Sequence, residues 1–177
     1  MVLVFLLSYG FVYGCSAADN EAVVIVKGSV TNGTCAFTLP DQTVTFAQPT
    51  LTQDVAEVGE KGENKIPFSV NYQCQDYVDE TPDMEMVIKA GAGTQIINNK
   101  ISPINNPTNA SFVIYDCKKD NCTLVNFDGG SGTYTTAVTT GNGNKNKDFQ
   151  VELVKKDSAT VNPGKLNAIL ALTLVQP

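Results

Sequence analysis

Ile66, Phe68, Val70, Tyr72 and Cys74 alternate with Pro67, Ser69, Asn71 and Gln73. Successive side chains of a strand point to opposite faces, so extended backbone places the first set on one side. No helix does that, and the apolar side must find another apolar surface to bury it. Pro67 has the outward parity near the start of the segment, where a missing backbone donor is tolerable. The rest of the chain reads in the same terms. Strands are expected at Cys35–Leu39, Thr43–Phe46, Met84–Ala90, Tyr134–Val138, Phe149–Val154 and Leu166–Val175. Met84, Met86 and Ile88 keep register, as do Phe149, Val151 and Leu153. Phe112–Tyr115 and Thr123–Val125 flank a polar turn and read as a hairpin. Ile96, Ile97 and Ile101 flank further turn residues. Turns are expected at Pro40-Asp41, Gly91–Thr94, the Asn- and Pro-rich run Pro103–Asn109, Asp128–Thr133, Gly141–Asn146 and Asn162–Gly164, where Gly and Asn accept positive φ. The polar runs Pro49–Asn64 and Gln75–Asp83 read as surface connections. Helical periodicity is missing, and 42% of the 177 residues are hydrophobic. One domain is expected, an antiparallel β-sandwich of Ig-like type.

Two segments fit a plain sandwich poorly. Leu166, Ala168, Leu170, Leu172 and Leu174 share one face of the last strand, while Ile169, Ala171 and Val175 line the other. The strand is apolar on nearly both sides, and no further strand follows it in this sequence. Long apolar edges invite pairing with other chains. Near the start, Asp19–Val30 places Ala22, Val24, Val26, Gly28 and Val30 on one parity. The other parity mixes Glu21, Lys27, Ser29 and Thr31 with Val23 and Ile25. A glycine inside a strand costs stability unless something must approach closely there. The segment reads either as an ordinary first strand or as an arm donated to another copy.

Val2–Val12 is a nearly unbroken apolar run. It is shorter than the roughly 20 residues a membrane-spanning helix needs, and it fits the core of a secretory signal peptide. Residues 1–17 are then a leader, with cleavage after Ala17 or Ala18, although no lysine or arginine precedes the run. Val12–Cys15 offers a second reading, a lipoprotein signal lipidated at Cys15, in which Tyr13 is a bulky misfit. Both routes export the chain, and an oxidising compartment favours disulfides. Cys35, Cys74, Cys117 and Cys122 remain, and four cysteines allow three pairings. A bridge across the hairpin mouth, Cys117–Cys122, is the simplest. Cys35–Cys74 then closes a loop of about 40 residues. The alternative is a metal held by four thiolates spaced 39, 43 and 5 residues apart.

All 12 basic residues are lysine, against 18 acidic ones, for a net charge of −6. Such a chain is a poor candidate for nucleic acid or for anionic membranes. The absence of histidine removes the usual general base and every Ser-His or Cys-His pair. Asp41, Asp54, Glu57, Asp76, Asp79, Glu80 and Asp83 are the material for a carboxylate pair. They lie in polar loops, where solvated charge is the commoner role. Gly91–Thr94 lacks the Lys-Ser/Thr ending of a phosphate-binding loop. Asn32, Asn109 and Asn121 head glycosylation patterns and read as turn residues. No catalytic residue, cofactor or metal is expected.

Three features together carry a family resemblance: the arm with Val24, Val26 and Gly28, the pair Cys35 and Cys74 with the second closing an alternating strand, and the ending Pro163–Leu174. The chain resembles the pilins of the bacterial chaperone–usher pathway, of the type 1 or P fimbrial kind, over roughly residues 18–177. The resemblance implies an incomplete Ig-like antiparallel β-sandwich that lacks its last strand. Residues 18–31 would be a donor-strand extension acting through Ala22, Val24, Val26, Gly28 and Val30. Residues 32–177 would be the pilin domain, with Leu166, Ala168, Leu170, Leu172 and Leu174 on the acceptor and chaperone-binding strand. A periplasmic pilus chaperone would fill the groove first. At the outer-membrane usher the extension of the neighbouring pilin subunit would replace it, a strand addition to an open sheet edge. The implied role is structural, in a surface pilus of a Gram-negative bacterium reached through the periplasm, with any host receptor touched only indirectly. Two departures stand out. Gln176 occupies the place where the family carries an aromatic, and the Cys117–Cys122 hairpin is extra; both fit a minor or adaptor subunit. The alternative is a self-contained secreted or lipid-anchored β-sandwich that binds a ligand through its loops.

Overall fold

The computed structural model describes residues 33–39, 41–46, 50–59, 65–78, 84–119, 121–128 and 131–176. The alternating segment is β2, and we number the strands β1 Thr34–Phe37, β2 Lys65–Gln75, β3 Met84–Ala90, β4 Thr94–Ile97, β5 Lys100–Pro103, β6 Ala110–Lys118, β7 Asn121–Leu124, β8 Thr133–Val138, β9 Gly143–Lys155 and β10 Leu170–Val175. A single turn of 3-10 helix, Thr52–Asp54, is the helical exception among the described residues. Every described strand pair is antiparallel. One sheet runs β1-β2-β9-β6-β5-β4, with β7 also on β6, and the other runs β10-β3-β8.

The β2–β9 pair is the spine of the larger sheet, in register from Lys65↔Glu152 to Cys74↔Gly143. Val70, Tyr72 and Cys74 are buried as their parity demands. β9 is longer than its apolar core suggested. The expected turn Gly141–Asn146 shrinks to Gly141 and Asn142, and residues from Gly143 to Asp148 pair with β2 instead. The turn preference of Gly and Asn is local and weak, whereas β2 offers a continuous row of backbone partners. β4 and β5 were not separable in the sequence. They close through Asn98 and Asn99, both at positive φ (50° and 64°), as a two-residue type I′ turn requires.

Both disulfides join directly opposed residues of neighbouring strands: Cys35 with Cys74 across β1 and β2, and Cys117 with Cys122 across β6 and β7. Both pairings are those the spacing suggested, and the four thiols are thereby consumed as bridges rather than as metal ligands. Gly33, at φ 104°, sits immediately before β1 and lies against the ring of Tyr77.

The main core lies between the two sheets. Tyr72, Tyr77, Met84, Met86, Phe127 and Phe149 are its largest buried members, with Ile88, Ile101 and Ile114 among them. Two expectations change here. Thr43–Phe46 forms no strand, yet Val44 and Phe46 still pack on this core, with Phe46 stacked on Phe112 at 5.9 Å between ring centres. The run Pro49–Asn64 is more than a surface connection. Val55 is buried, Lys155 N–H donates to Ala56 O at 3.0 Å, and Val58 packs on Val113, Tyr115 and Val154. The run therefore covers the outer face of β6 and β9. Glu152 is buried on that same face, its carboxylate accepting from the Tyr115 hydroxyl at 2.5 Å, with Lys65 Nζ 3.9 Å away.

Loop length separates the two bridges. Chain-entropy arithmetic gives about 4 kcal/mol for the Cys35–Cys74 loop and about 2 kcal/mol for the Cys117–Cys122 loop. Denaturant titration of the paired serine variants of the full chain is expected to show the first pair costing more. Equal losses would contradict this ordering.

Candidate functional site

β10 explains why this sandwich has two unequal sides. Its backbone pairs with β3 from Leu170↔Ala90 to Val175↔Glu85, and no other described strand pairs with it. Leu170, Leu172 and Leu174 turn toward the main core together with Ala168, and all four remain only half-buried. Four of the five residues expected on this strand face are therefore gathered. Leu166 is not among them: it packs on a second cluster of Val55, Ala110 and Val161. The strand also begins later than the expected Leu166. β3 ends at Ala90 and turns away through Gly91, so residues before Leu170 have no ladder to join. Ile169 is tied to that corner instead. Its carbonyl accepts from Gly91 N–H at 2.8 Å, and its N–H donates to Thr94 Oγ1 at 2.8 Å. A Cβ on Gly91 would meet Ile169 at 2.5 Å, so only glycine fits there.

The larger sheet and the irregular stretch 41–46 present matching half-buried side chains to the same core: Val44, Phe46, Ile66, Phe68 and Phe112. Phe68 stacks on buried Phe149 at 5.5 Å. Aliphatic and aromatic surface is thus left partly uncovered on both layers. Apolar side chains at alternate positions of an extended segment have the period needed to cover such a surface.

β8, the other outer strand of the small sheet, is fastened to the larger one. Asp116 on β6 accepts from Tyr134 OH at 2.8 Å and Thr136 Oγ1 at 2.6 Å, both on β8, and pairs with Lys147 on β9 at 2.5 Å. Tyr72 OH adds a bond to Thr139 O at 2.9 Å. Burial, followed by the hydrogen bond to Asp116, pushes the Tyr134 phenol up to about 12. Burial and the Glu152 bond likewise push Tyr115 upward.

Sequence reasoning missed both acids that matter structurally. Glu152 and Asp116 lie within strands, whereas the carboxylates that stand out in the sequence are those of the loops. Of those, Asp41, Asp54 and Asp76 are exposed, and Glu57 pairs with Lys100 at 3.6 Å. Asp79, Glu80 and Asp83 lie outside the described residues, as do Ala22, Val24, Val26, Gly28 and Val30 of the expected arm and Cys15 of the leader. The one available signal was an acid placed between Val151 and Leu153-Val154.

A family profile described as "Fimbrial protein" matches residues 24–175. Among solved structures, the chain is similar to a subunit from a chaperone–usher pilus studied for rod uncoiling. The TM-score is 0.57 at 15% identity, covering 90% of this chain and 98% of that one. It is also similar to the P pilus rod subunit PapA, with a TM-score of 0.54 at 16% identity, covering 81% of this chain and 99% of that one. At such identities the likeness is one of fold, the Ig-like antiparallel sandwich. No curated protein matches the sequence.

The Tyr134 phenol is neutral in the fold and titrates above its ordinary value of 10.0. Its contribution is therefore complete below pH 10 and lost as pH rises through about 12. Tyr134→Phe is expected to cost about 1–2 kcal/mol at pH 8 and to flatten the alkaline loss. Urea midpoints at about pH 8 and about pH 11 measure both; an unchanged slope would remove Tyr134 from the inter-sheet fastening.

Proposed function

The chain belongs to the fimbrial protein family, and from that premise we propose that it polymerises by donating its N-terminal arm to the groove of a neighbouring subunit. Family membership makes it a structural subunit of a surface pilus of Gram-negative bacteria. The finer reading is donor-strand complementation. Ala22, Val24, Val26, Gly28 and Val30 of one subunit enter beside β10 of the next, over Ala168, Leu170, Leu172 and Leu174. A periplasmic chaperone holds the groove before assembly, and the outer-membrane usher is where the arm replaces it. The role calls for no catalysis.

The observation that carries this reading is the condition of β10. It is aliphatic on its inward face, half-buried, and hydrogen-bonded along one edge only among the described residues. A strand in that state lacks both backbone partners and apolar cover, and an alternating arm supplies both. The arm's apolar parity has the period the groove requires. The alternative, a self-contained ligand-binding sandwich, has no such use for a half-covered edge. The extra Cys117–Cys122 hairpin favours a minor or adaptor place in the pilus. Counting subunits in purified pili by quantitative mass spectrometry tests that place, and a majority share would overturn it.

Thermal unfolding of two chains tests the mechanism. One begins after Val30; the other carries residues 19–32 again at its C-terminus through a flexible linker. The first is expected to aggregate or melt early, and the second to be a stable monomer. A truncated chain that is stable, monomeric and indifferent to the appended arm would sink donor-strand exchange.

A further inference from the structure

Exposed aliphatic side chains stand at opposite ends of the sandwich, outside the groove. At one end Val78 is 93% exposed. It follows Tyr77, whose ring lies so close to Gly33 that a Cβ there would come within 2.5 Å of it. The Tyr77 hydroxyl reaches Met84 Sδ at 2.9 Å, at the first residue of β3. Asn142 grips the Tyr77 backbone twice, accepting from its N–H at 2.9 Å and donating to its carbonyl at 3.1 Å. Val78 therefore projects from a fixed base. At the other end, Ile104 is 61% and Ile169 56% exposed. They bracket the glycine turn that follows β3: Ile104 N–H donates to Gly93 O at 3.0 Å, and Gly91 N–H donates to Ile169 O at 2.8 Å. The length of β3 sets the two ends roughly 20 Å apart.

We infer that Ile104 and Ile169 seat the next subunit of the filament, a second copy or a pilin of like fold, through its Val78. The inference rests on the donor-strand reading above. Only Thr31 and Asn32 separate Val30 from Gly33, which is about 10 Å of extended chain. An arm inserted as far as Val30 must draw the Tyr77–Val78 end of its own domain against the receiving domain. Strand direction decides which end of the receiver it meets. Antiparallel pairing, the arrangement of every described strand pair, puts Val30 beside Leu170, next to Ile169 and Ile104. A parallel arm would bring the incoming domain to the Val175 end instead. Val175 pairs with Glu85, next to Met84 and Tyr77, where the receiver's own chain enters at Gly33. Two domains would then compete for one place. Contact between unlike ends is heterologous and does not close on itself, so it repeats along a filament. Burying these aliphatic groups fixes how one domain sits on the next and restrains rotation about the short connection.

The test uses polymers of the full chain carrying the photo-cross-linker p-benzoylphenylalanine at position 78. Arm-dependent assembly is read separately, as oligomers lost on deleting residues 18–31. The expected result is a cross-link from position 78 to a peptide containing Ile104 or Ile169 of another molecule. The same probe at exposed Thr123 should give no such product. The double variant Ile104→Ser/Ile169→Ser should lower the yield about tenfold while leaving the oligomers in place. Oligomers that form but cross-link elsewhere, or not at all, overturn the seat and leave the arm intact. Absence of arm-dependent oligomers overturns both.

Discussion

Every strand of a sheet has two backbone edges, and β10 has a described partner for one of them. That single fact organises the molecule. No described strand lies along the other edge, and the aliphatic face beside it is only half-buried. Isolated proteins usually blunt such an edge with charge, proline or a bulge. Here the residues from Leu170 to Val175 include neither charge nor proline.

The rest of the fold makes an unfinished core tolerable. The small sheet is held on its β8 side, where Asp116 of β6 gathers two hydroxyls from β8 and an ammonium from β9. On the β10 side it is held at the corner, through Gly91, Thr94 and Ile169. The larger sheet is braced from behind by the run that carries Val55 and Val58, over the buried Glu152–Tyr115 pair. A buried carboxylate is costly unless paired and hydrogen-bonded, and Tyr115 and Lys65 meet that condition. The fastenings thus hold the sandwich together without any described strand along the second edge of β10.

The strands legible in the sequence were those whose own side chains alternate. Ile66–Cys74 and Met84–Ala90 were read with nearly their observed bounds, and both disulfides followed from the hairpin between Cys117 and Cys122. The apolar face of the last strand was legible too, apart from Leu166, which the chain carries to a different cluster. What escaped was set by partners distant in sequence. Gly143–Asp148 looks like a turn until β2 lies beside it. Thr43–Phe46 looks like a strand but has no ladder to join, and Pro49–Asn64 looks solvated although Val55 is buried. Asp116 and Glu152 carry no local mark of the bonds they make.

The sequence by itself determined the fold class, the cross-strand bridges and an apolar face in search of cover, because period-2 alternation is a property of consecutive residues. Only the tertiary structure decided where strands end, which acids are buried and which described strands lie side by side. Those outcomes depend on which backbone lies alongside. A hydrogen-bonded neighbour is supplied by residues far away in the chain, as β3 is for β10.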